Sequence, residues 1–435
     1  MKPKGLLIAV VLLAVLGGVT WWSNKSQAEK AKTPTDTTVK LLSIPDDQFQ
    51  EIKIVKVTDE VIGLKRENGK WRLTAPQPLP ADQDAAGSMV SALTNLNADK
   101  VVEEKAADLK QYGLDRPTLD VQIVRKDGKT DNLLIGDDTL TGSGAYAKLA
   151  NDAKVVTVGA TTKTSLDKRP DDLRDKRLLT FDSDKLSRVE LAAKGPAIEF
   201  GKNGQNEWQL VKPRPLRADG SAVDGLVSKL KDAKMDLAET DAVKKFAAAG
   251  KVATATVTDA GGTQTIEVRR DKDKNVFAKS SAVEGIYKTN ADLADALEKP
   301  VDDFRNKKLF DFGFSDPSKV EVQGKGYVKA GDKWTANGKA MDNLGVQTLI
   351  DKLRDLAATK FAEKGGGEPV VVASVVSNGG KRSEKVSISK QGTQYFAQRD
   401  GEPSIYELDG KVVEELQKAA ADVKEAPPEV PKKKK

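Results

Sequence analysis

The sequence predicts an α+β fold: three tandem repeated modules of mainly antiparallel sheet with packed helices, which follow one N-terminal transmembrane helix. Three observations carry this prediction. An uncharged apolar run stands close to the N-terminus, a tryptophan-led segment recurs along the chain, and short alternating strands separated by turn signals flank each predicted helix. The length of 435 residues exceeds one ordinary domain and suits two to four.

The N-terminal apolar run, Gly5–Trp22, contains 18 residues without a charge. As a helix with a rise of 1.5 Å per residue it would span roughly 27 Å, about the thickness of one hydrocarbon core. Lys2 and Lys4 precede the run and Lys25 follows it. Residues 1–25 are therefore predicted to form a transmembrane signal anchor.

Whether this segment is cleaved depends on the residues at its end. Trp21 and Trp22 are typical of an interfacial aromatic belt, which favours an uncleaved anchor. A cleaved signal peptide is the alternative, because Ser26-Gln27-Ala28 offers a cleavage site. The two flanks carry nearly equal positive charge, so the short N-terminal tail decides the predicted orientation, with the N-terminus inside and the body outside the cytoplasm.

A repeat is visible in the body of the chain. The segment beginning at Trp71 (WRLTAPQPLPADQDAAGSMVSALTNL) recurs at Trp208 (WQLVKPRPLRADGSAVDGLVSKLKDA). Six identical positions share an offset of 137 residues: Trp71 and Trp208, Pro76 and Pro213, Pro78 and Pro215, Leu79 and Leu216, Asp82 and Asp219, Leu93 and Leu230. A weaker copy begins at Trp334, with three residues fewer before Asp342. This repetition predicts three modules of roughly 130 residues each.

The repeats divide the chain into predicted segments. The modules are residues 41–180, 181–310 and 311–423. Residues 26–40 are polar and predict a stalk between the membrane and the modules. Apolar periodicity fades from Ala419 and the chain ends in four lysines, so residues 424–435 are predicted to form a disordered basic tail.

The first module opens with strand patterns. Glu51–Val57 alternates between apolar and polar residues, as a half-buried strand does. Val61–Glu67 and Lys70–Thr74 flank Asn68-Gly69, which is the strongest short signal for a hairpin. The sequence therefore predicts three successive antiparallel strands before the first helix.

A helix and a second hairpin follow in each module. Asp82 is predicted to cap a helix on which Met89, Leu93 and Leu96 share one buried face. The hairpin comes next, and its paired strands are predicted at Thr118–Val124 with Asp131–Ile135, Val252–Val257 with Thr263–Val268, and Val370–Val376 with Lys385–Ser389.

Two sets of repeated side chains are candidate interaction or structural positions. The first set is the three strand tryptophans, Trp71, Trp208 and Trp334. They would either form sugar-stacking platforms or fill the core between sheet and helix, and the large area a tryptophan buries favours the core. The second set comes from the module ends and consists of Asp172, Arg174, Asp303 and Arg305. It would either clamp a ligand or belong to a linker helix with acids first and bases last, which the helix dipole favours.

Composition excludes several kinds of site. The chain contains no histidine and no cysteine, so imidazole catalysis, cysteine nucleophiles, disulfides and thiolate or histidine metal sites are absent. A partial phosphate loop at Gly128-Lys129-Thr130 has Ile123 where its first glycine is required. A partial calcium loop from Asp271 lacks its glycine and its last glutamate, at Val276 and Ala282. No catalytic residue, metal site or cofactor is predicted.

The net charge of +6 does not indicate nucleic-acid binding. Six lysines at the chain ends supply the whole excess, and the rest of the chain carries 65 basic and 65 acidic residues. A balanced body of this kind lacks the electrostatic footprint that a polyphosphate requires.

The motif Tyr112-Gly113-Leu114-Asp115-Arg116-Pro117 leads into a predicted strand, and Gly69–Leu73, Pro76 and Ala81-Asp82 precede it. These residues resemble hallmarks of the domain of unknown function 4340 family, over most of Leu41–Val423. The resemblance implies a single-pass protein of the bacterial cytoplasmic (inner) membrane with a periplasmic body. It also implies association with an ABC-type transport system similar to the gliding-motility accessory kind, and it supplies no catalytic residues.

Three functional hypotheses follow. The first is a non-enzymatic accessory protein whose repeated modules bind subunits of the transport system or an envelope glycan, because stacked modules form long interaction surfaces. The second is a carboxylate-dependent hydrolase of envelope glycans. The third is a structural spacer that sets a distance across the periplasm.

Overall fold

The structure, a computed structural model, describes residues 39–312 and 317–427. The predicted anchor Gly5–Trp22, almost all of the predicted stalk and the four terminal lysines lie outside these residues. Within the described residues, no helix has the length and apolar character needed to cross a membrane. They fold as two compact units, one ending at Lys176 and the other beginning at Arg177.

The first unit contains a nine-stranded antiparallel sheet with strand order β4-β3-β2-β1-β6-β7-β8-β9-β5. Its elements are β1 (Phe49–Lys56), β2 (Val61–Glu67), β3 (Lys70–Ala75), β4 (Leu79–Pro80), α1 (Gln83–Thr94), β5 (Lys100–Glu103), β6 (Leu119–Arg125), β7 (Thr130–Asp138), β8 (Gly144–Leu149), β9 (Val155–Gly159), α2 (Ala160–Leu166) and α3 (Pro170–Leu173).

The second unit contains two antiparallel sheets. The first of these has eight strands in the order β13-β12-β11-β10-β14-β15-β16-β17. Its elements are β10 (Arg188–Ala192), β11 (Ile198–Lys202), β12 (Trp208–Lys212), β13 (Leu216–Arg217), α4 (Gly220–Lys231), α5 (Ala242–Ala248), β14 (Gly250–Asp259), β15 (Gly262–Arg270), β16 (Val276–Ser280), β17 (Ile286–Thr289) and α6 (Ala291–Leu297).

The last sheet has nine strands in the order β21-β20-β19-β18-β23-β24-β25-β26-β22. Its elements are β18 (Lys319–Val322), β19 (Lys325–Ala330), β20 (Lys333–Ala336), β21 (Lys339–Ala340), α7 (Asn343–Arg354), β22 (Lys360–Ala362), β23 (Glu368–Ser377), β24 (Arg382–Gln391), β25 (Gln394–Arg399), β26 (Ile405–Leu408) and α8 (Gly410–Asp422). Allowing for one missing edge strand in the eight-stranded sheet, all three sheets have the same strand order. The prediction of mainly antiparallel sheets with helices is therefore confirmed.

The local signals explain how each sheet begins. In the first sheet Asn68 and Gly69 both have positive φ, 51° and 79°, as the tight turn between β2 and β3 requires. Asp82 then accepts hydrogen bonds from two amides in the first turn of α1, each at 3.0 Å, and so caps the helix. Met89 and Leu93 on this helix are fully buried against the sheet.

Backbone bridges define where each module starts and stops. Each module starts where its chain pairs with the segment after its first long helix, through the bridges Lys40 with Asn97, Arg177 with Lys234, and Lys308 with Ala357. Each module ends where its chain pairs with the residue before that helix cap, through the bridges Ala81 with Arg174, Ala218 with Arg305, and Met341 with Glu425. We call residues 40–175, 177–306 and 308–426 the first, second and third modules.

The start of the predicted disordered tail is ordered, which corrects that prediction. Helix α8 continues to Asp422, with Ala419 and Ala420 buried. The carbonyl of Lys424 accepts from the Asp342 amide at 2.9 Å, and the Ala426 amide donates to the Ala340 carbonyl at 2.8 Å. The proline-rich composition concealed this segment because its order comes from pairing with a strand far away in the sequence.

Candidate functional site

The three repeated tryptophans lie in the cores of their modules. Trp71, Trp208 and Trp334 are only 3%, 9% and 5% exposed, and each belongs to the apolar cluster of its own module. Two of the rings have a cation over one face. Arg66 Cζ lies 4.9 Å from the ring centroid of Trp71, and Lys202 Nζ lies 4.9 Å from that of Trp208. This arrangement is that of core side chains rather than of open sugar platforms.

The end of the first module contains two further predicted positions. Asp172 accepts from the Arg169 amide at 3.0 Å and from its guanidinium, and these bonds lower the pKa of the Asp172 carboxyl. Helix α3 stops at Leu173, and Arg174 is already extended and bridges Ala81. The predicted helix with bases in its last turn is therefore wrong, because the backbone leaves the helix in order to pair with the segment before the Asp82 cap.

The end of the second module differs from the first in what its arginine contacts. Asp303 is exposed, whereas Arg305 is buried and donates to Asp302 at 2.8 Å. Arg305 also donates to Ser404 Oγ at 3.0 Å, and its Cζ lies 3.4 Å from the ring centroid of Phe361. Because Ser404 and Phe361 belong to the third module, Arg305 joins the second module to the third.

A larger group of charges lies beside this contact, and we call it the ion network. Its members are Arg217 of the second module and Asp311, Glu384, Arg399, Glu402 and Tyr406 of the third.

Arg217 is the second module's contribution to the ion network. Its Nη1 donates to Asp311 Oδ2 at 2.7 Å, and its Nη2 donates to Tyr406 Oη at 3.0 Å and to the Lys308 carbonyl at 2.5 Å. Its Nε lies 2.7 Å from Glu402 Oε1 as an ion pair, although the N–H is not aimed at that oxygen. Four groups that are 91 to 189 residues away in sequence therefore hold a single guanidinium.

The third module completes the ion network with its own pairs. Arg399 lies 3.1 Å from Glu384 Oε1 and 2.8 Å from Glu402 Oε1. The side chain of Glu384 is only 4% exposed, and its Oε1 also accepts from the Asp311 amide at 2.9 Å. Tyr406 Oη donates to the other oxygen of Glu402 at 2.8 Å. Each charged group of the ion network thus has an opposite charge within contact distance.

The pKa values in this region follow from burial and pairing. Burial acts to lower the pKa of Arg217, but attraction to Asp311, Tyr406 and Glu402 outweighs it and raises the pKa. For Tyr406, burial is the main cause of a raised pKa. Both shifts keep the guanidinium charged and the phenol neutral over the whole physiological range.

A cleft of about 500 Å³ opens next to the ion network, and we call it the cleft. The second module lines it with Lys202, Glu207, Trp208, Gly220 and Asp224, and Arg217, Asp311 and Arg382 lie at its border with the third module. Arg382 Nη2 donates to Glu207 Oε1 at 2.6 Å, which closes one side. Trp208 Nε1 donates to Asp224 Oδ1 at 2.8 Å.

Hydrogen bonding holds the Glu207 carboxyl of the cleft in its ionised form. Hydrogen bonds from Asn203 and then from Arg382 lower the pKa of the Glu207 carboxyl, whereas a general acid requires a raised pKa. Among the described residues, no group of three or more acidic side chains is placed to hold a metal ion. The cleft offers charged groups and side-chain amide groups for hydrogen bonding.

The second module differs from the other two at the place between the backbone of the repeated tryptophan and the first residue of the helix that follows. We call this place the corner. In the first module Gln83 Oε1 accepts from the Trp71 amide at 2.8 Å, and Gln83 Nε2 donates to the Trp71 carbonyl at 2.9 Å. In the third module Asn343 Oδ1 accepts from the Trp334 amide at 3.1 Å. In the second module the corresponding position is Gly220, which has no side chain to fill this place.

The ion network and the open corner were not predicted, although the repeat contained a signal for both. At the offset of 137 residues, Arg217 stands where the first module has Pro80, and Gly220 stands where it has Gln83. Arg217 stands at a strand end and Gly220 at the start of a helix, and both residues depart from the repeat where the second module differs in its contacts. Asp311, Glu384 and Arg399 gave no comparable sequence signal, because their partners come from tertiary contacts.

The repeated structure agrees with a comparison to protein families. The model of the family described as Domain of unknown function (DUF4340) matches residues 71–207 and then residues 208–374. The chain belongs to this family. The two DUF4340 matches begin at Trp71 and Trp208, the pair from which the repeat is recognised in the sequence. No curated protein and no solved structure gave a significant match.

Proposed function

We propose that this DUF4340 protein is a non-enzymatic accessory protein that is anchored in the bacterial inner membrane and binds a partner outside the cytoplasm. The partner we propose is a subunit of an ABC-type transport system. The observation that carries the binding role is the ion network between the second and third modules, with the cleft beside it. The anchor rests on Gly5–Trp22, and the partner rests on the family resemblance.

The ion network supports a binding role because it fixes the geometry of a joint. Separating the modules would take the Arg217 guanidinium away from Asp311 and Glu402, so two modules joined in this way resist separation. A fixed joint holds the cleft and the surrounding surface in one shape, which reduces the entropy cost of binding a large partner. A carboxyl that acts as a general acid would need a raised pKa, and Glu207 in the cleft has the opposite shift.

Crosslinking in native cells tests the proposal. The tagged full-length protein, an Arg217→Ala variant and an Arg188→Ala control would be crosslinked, the membranes solubilised and the copurifying proteins identified. Arg188 is a half-exposed arginine in ion pairs within the second module, so its loss should leave the joint intact. We expect transporter subunits with the wild type and Arg188→Ala, and clearly fewer with Arg217→Ala. Recovery of glycan without a protein partner would contradict the transporter and favour the glycan hypothesis.

Topology can be tested independently, because the chain has no cysteine of its own. A Lys129→Cys variant places one thiol at an exposed hairpin tip, where the lysine side chain is 75% exposed. An impermeant maleimide should label it in cells whose inner membrane is intact. Labelling only after the inner membrane is broken would show a cytoplasmic body and refute the proposed location.

A further inference from the structure

We infer that the open corner at Gly220 binds a carboxamide group of an external ligand. This inference goes beyond the proposed function, since it concerns the ligand chemistry of the cleft and holds whether or not a transporter is the partner. It rests on a comparison of the same corner in the three modules.

In the first module the corner is occupied by a carboxamide from the chain itself. Gln83 accepts from the Trp71 amide and donates to the Trp71 and Ala81 carbonyls at 2.9 and 2.8 Å. The oxygen and the nitrogen of one carboxamide therefore both bind the backbone beside the tryptophan. Asn343 places a second carboxamide at the Trp334 amide. The backbone geometry of the fold thus accepts this group at two of three corners.

In the second module the strand register around the corner is retained. Gln209 pairs with Arg217 and Leu210 pairs with Leu216, as Arg72 pairs with Pro80 and Leu73 with Leu79. This retention orients the backbone beside Trp208 as it is beside Trp71. The corner also opens into the cleft, since both Trp208 and Gly220 line it.

Neither backbone conformation nor crowding requires a glycine at position 220. Its φ is not positive, and a Cβ added there would meet no atom within 4 Å. A glycine in the first turn of a helix increases the entropy lost on folding, so a larger residue would fit and would stabilise α4. What the glycine provides is an open position beside Trp208, at the place in the repeat from which the Gln83 side chain extends in the first module.

The surrounding side chains define the rest of the ligand. The cleft is polar, with Asp224 and Lys202 beside the indole of Trp208. These polar side chains can form hydrogen bonds with a ligand whose carboxamide is attached to a hydroxylated or peptide-like body. Two sources share this chemistry: an acetamido sugar of an envelope glycan, and an amide of a partner peptide.

Ligand-observed NMR on the full-length detergent-solubilised protein tests the inference. The probes are N-acetylglucosamine and N-acetylglutamine methylamide, and glucose serves as a sugar without the acetamido group. We expect at least one amide probe to bind, whereas glucose does not. Binding of the sugar alone assigns a glycan ligand, and binding of the glutamine derivative alone assigns a peptide ligand.

Two matched variants show where the probe binds. Gly220→Gln supplies the carboxamide that the first module has, and we expect it to weaken probe binding about tenfold or more by occupying the corner. Arg188→Ala removes a half-exposed arginine whose ion pairs lie outside the cleft, and this variant should bind as the wild type does. Absence of binding by both amide probes at millimolar concentration would overturn the inference, and so would equal binding by Gly220→Gln. Neither result bears on recovery of a transporter partner, so the two proposals fail separately.

Discussion

The second module and the other two modules use one backbone design for different purposes. In the first module the corner beside the tryptophan is closed by Gln83, and the neighbouring strand ends at Pro80. In the second module the same two places hold Gly220 and Arg217, and the corner is open and is linked to the third module. In the third module they hold Asn343 and Ala340. Two changed residues on a constant scaffold therefore distinguish a self-contained repeat from a joint with a cleft.

The largest effect is expected from breaking the joint. Arg217→Ala leaves Arg399 as the remaining guanidinium beside Asp311 and Glu402, and we expect a loss of roughly 3 kcal/mol in the free energy of unfolding of the unit that begins at Arg177. Urea denaturation measures this loss, and a transition that separates into two would show the modules unfolding independently. The half-exposed Arg188 is the control, since its removal should cost no more than about 1 kcal/mol. Equal effects of the two variants would contradict the central role of Arg217.

Opening the closed corner of the first module should have the next largest effect. Gln83→Ala removes the partner of the Trp71 amide, and we expect a loss of roughly 1–3 kcal/mol, the usual cost of an unpaired buried polar group. Chemical denaturation of the full chain measures it. Gln48→Ala is the control, because the Gln48 amide donates to the exposed Asp47 side chain and its loss should change stability by less than about 0.5 kcal/mol. An unchanged stability of the Gln83→Ala variant would show that the first module also tolerates an open corner.

Filling the open corner with a methyl group should act in the opposite direction. Gly220→Ala is expected to stabilise the protein by about 0.4–1 kcal/mol, because the backbone conformation suits alanine and the unfolded chain loses freedom. Gly69→Ala is the comparison, since Gly69 has a φ of 79° and the same substitution should destabilise it. Melting temperatures of both variants distinguish these signs. Destabilisation by Gly220→Ala would mean that the fold itself needs this glycine.

The smallest predicted effect concerns acid sensitivity at the cleft. The pKa of Glu207 is lowered in the folded protein below its ordinary value of 4.5, mainly by Asn203 and then by Arg382. Its contribution to stability is therefore present above pH 4.5 and is lost as the pH falls through the folded-state pKa. Glu207→Gln should reduce the slope of stability against pH in this acidic range. Glu363→Gln, at an exposed glutamate, is the control, and identical slopes for the two variants would refute the prediction.

The sequence predicted turns, strands and helix starts correctly, because a few neighbouring residues determine each of them. Asn68-Gly69 fixes a turn through positive φ at both positions, and β2 runs over Val61–Glu67 as predicted. Asp82 caps α1 through its own carboxylate, so the start of the helix is a property of a few neighbouring residues. The third module keeps the strand order although it lacks the paired prolines, because strand pairing depends on alternation and not on those turns.

The ion network was beyond such reasoning for a physical reason. Arg217 and Tyr406 are 189 residues apart, and an arginine at the end of a strand is in general a solvated surface residue. Only the packing of two modules removes it from water and gives it partners. The order of Lys424–Ala426 was hidden in the same way. The composition of the segment is typical of a disordered tail, and it carries no sign of the pairing with the segment around Ala340.

The strand order of the sheets also bears on how genes of this family would grow. The two DUF4340 matches begin at β3 and β12, after the first two strands of a module along the chain, so they are out of phase with the modules that fold. A duplication with ends at residues 71 and 207 would carry most of one sheet together with β10 and β11 of the next. Inserted in frame at the same point of another copy, it would restore a whole sheet on both sides. Such a lineage could lengthen or shorten by unequal crossing-over at the tryptophan codon without leaving a partial sheet behind.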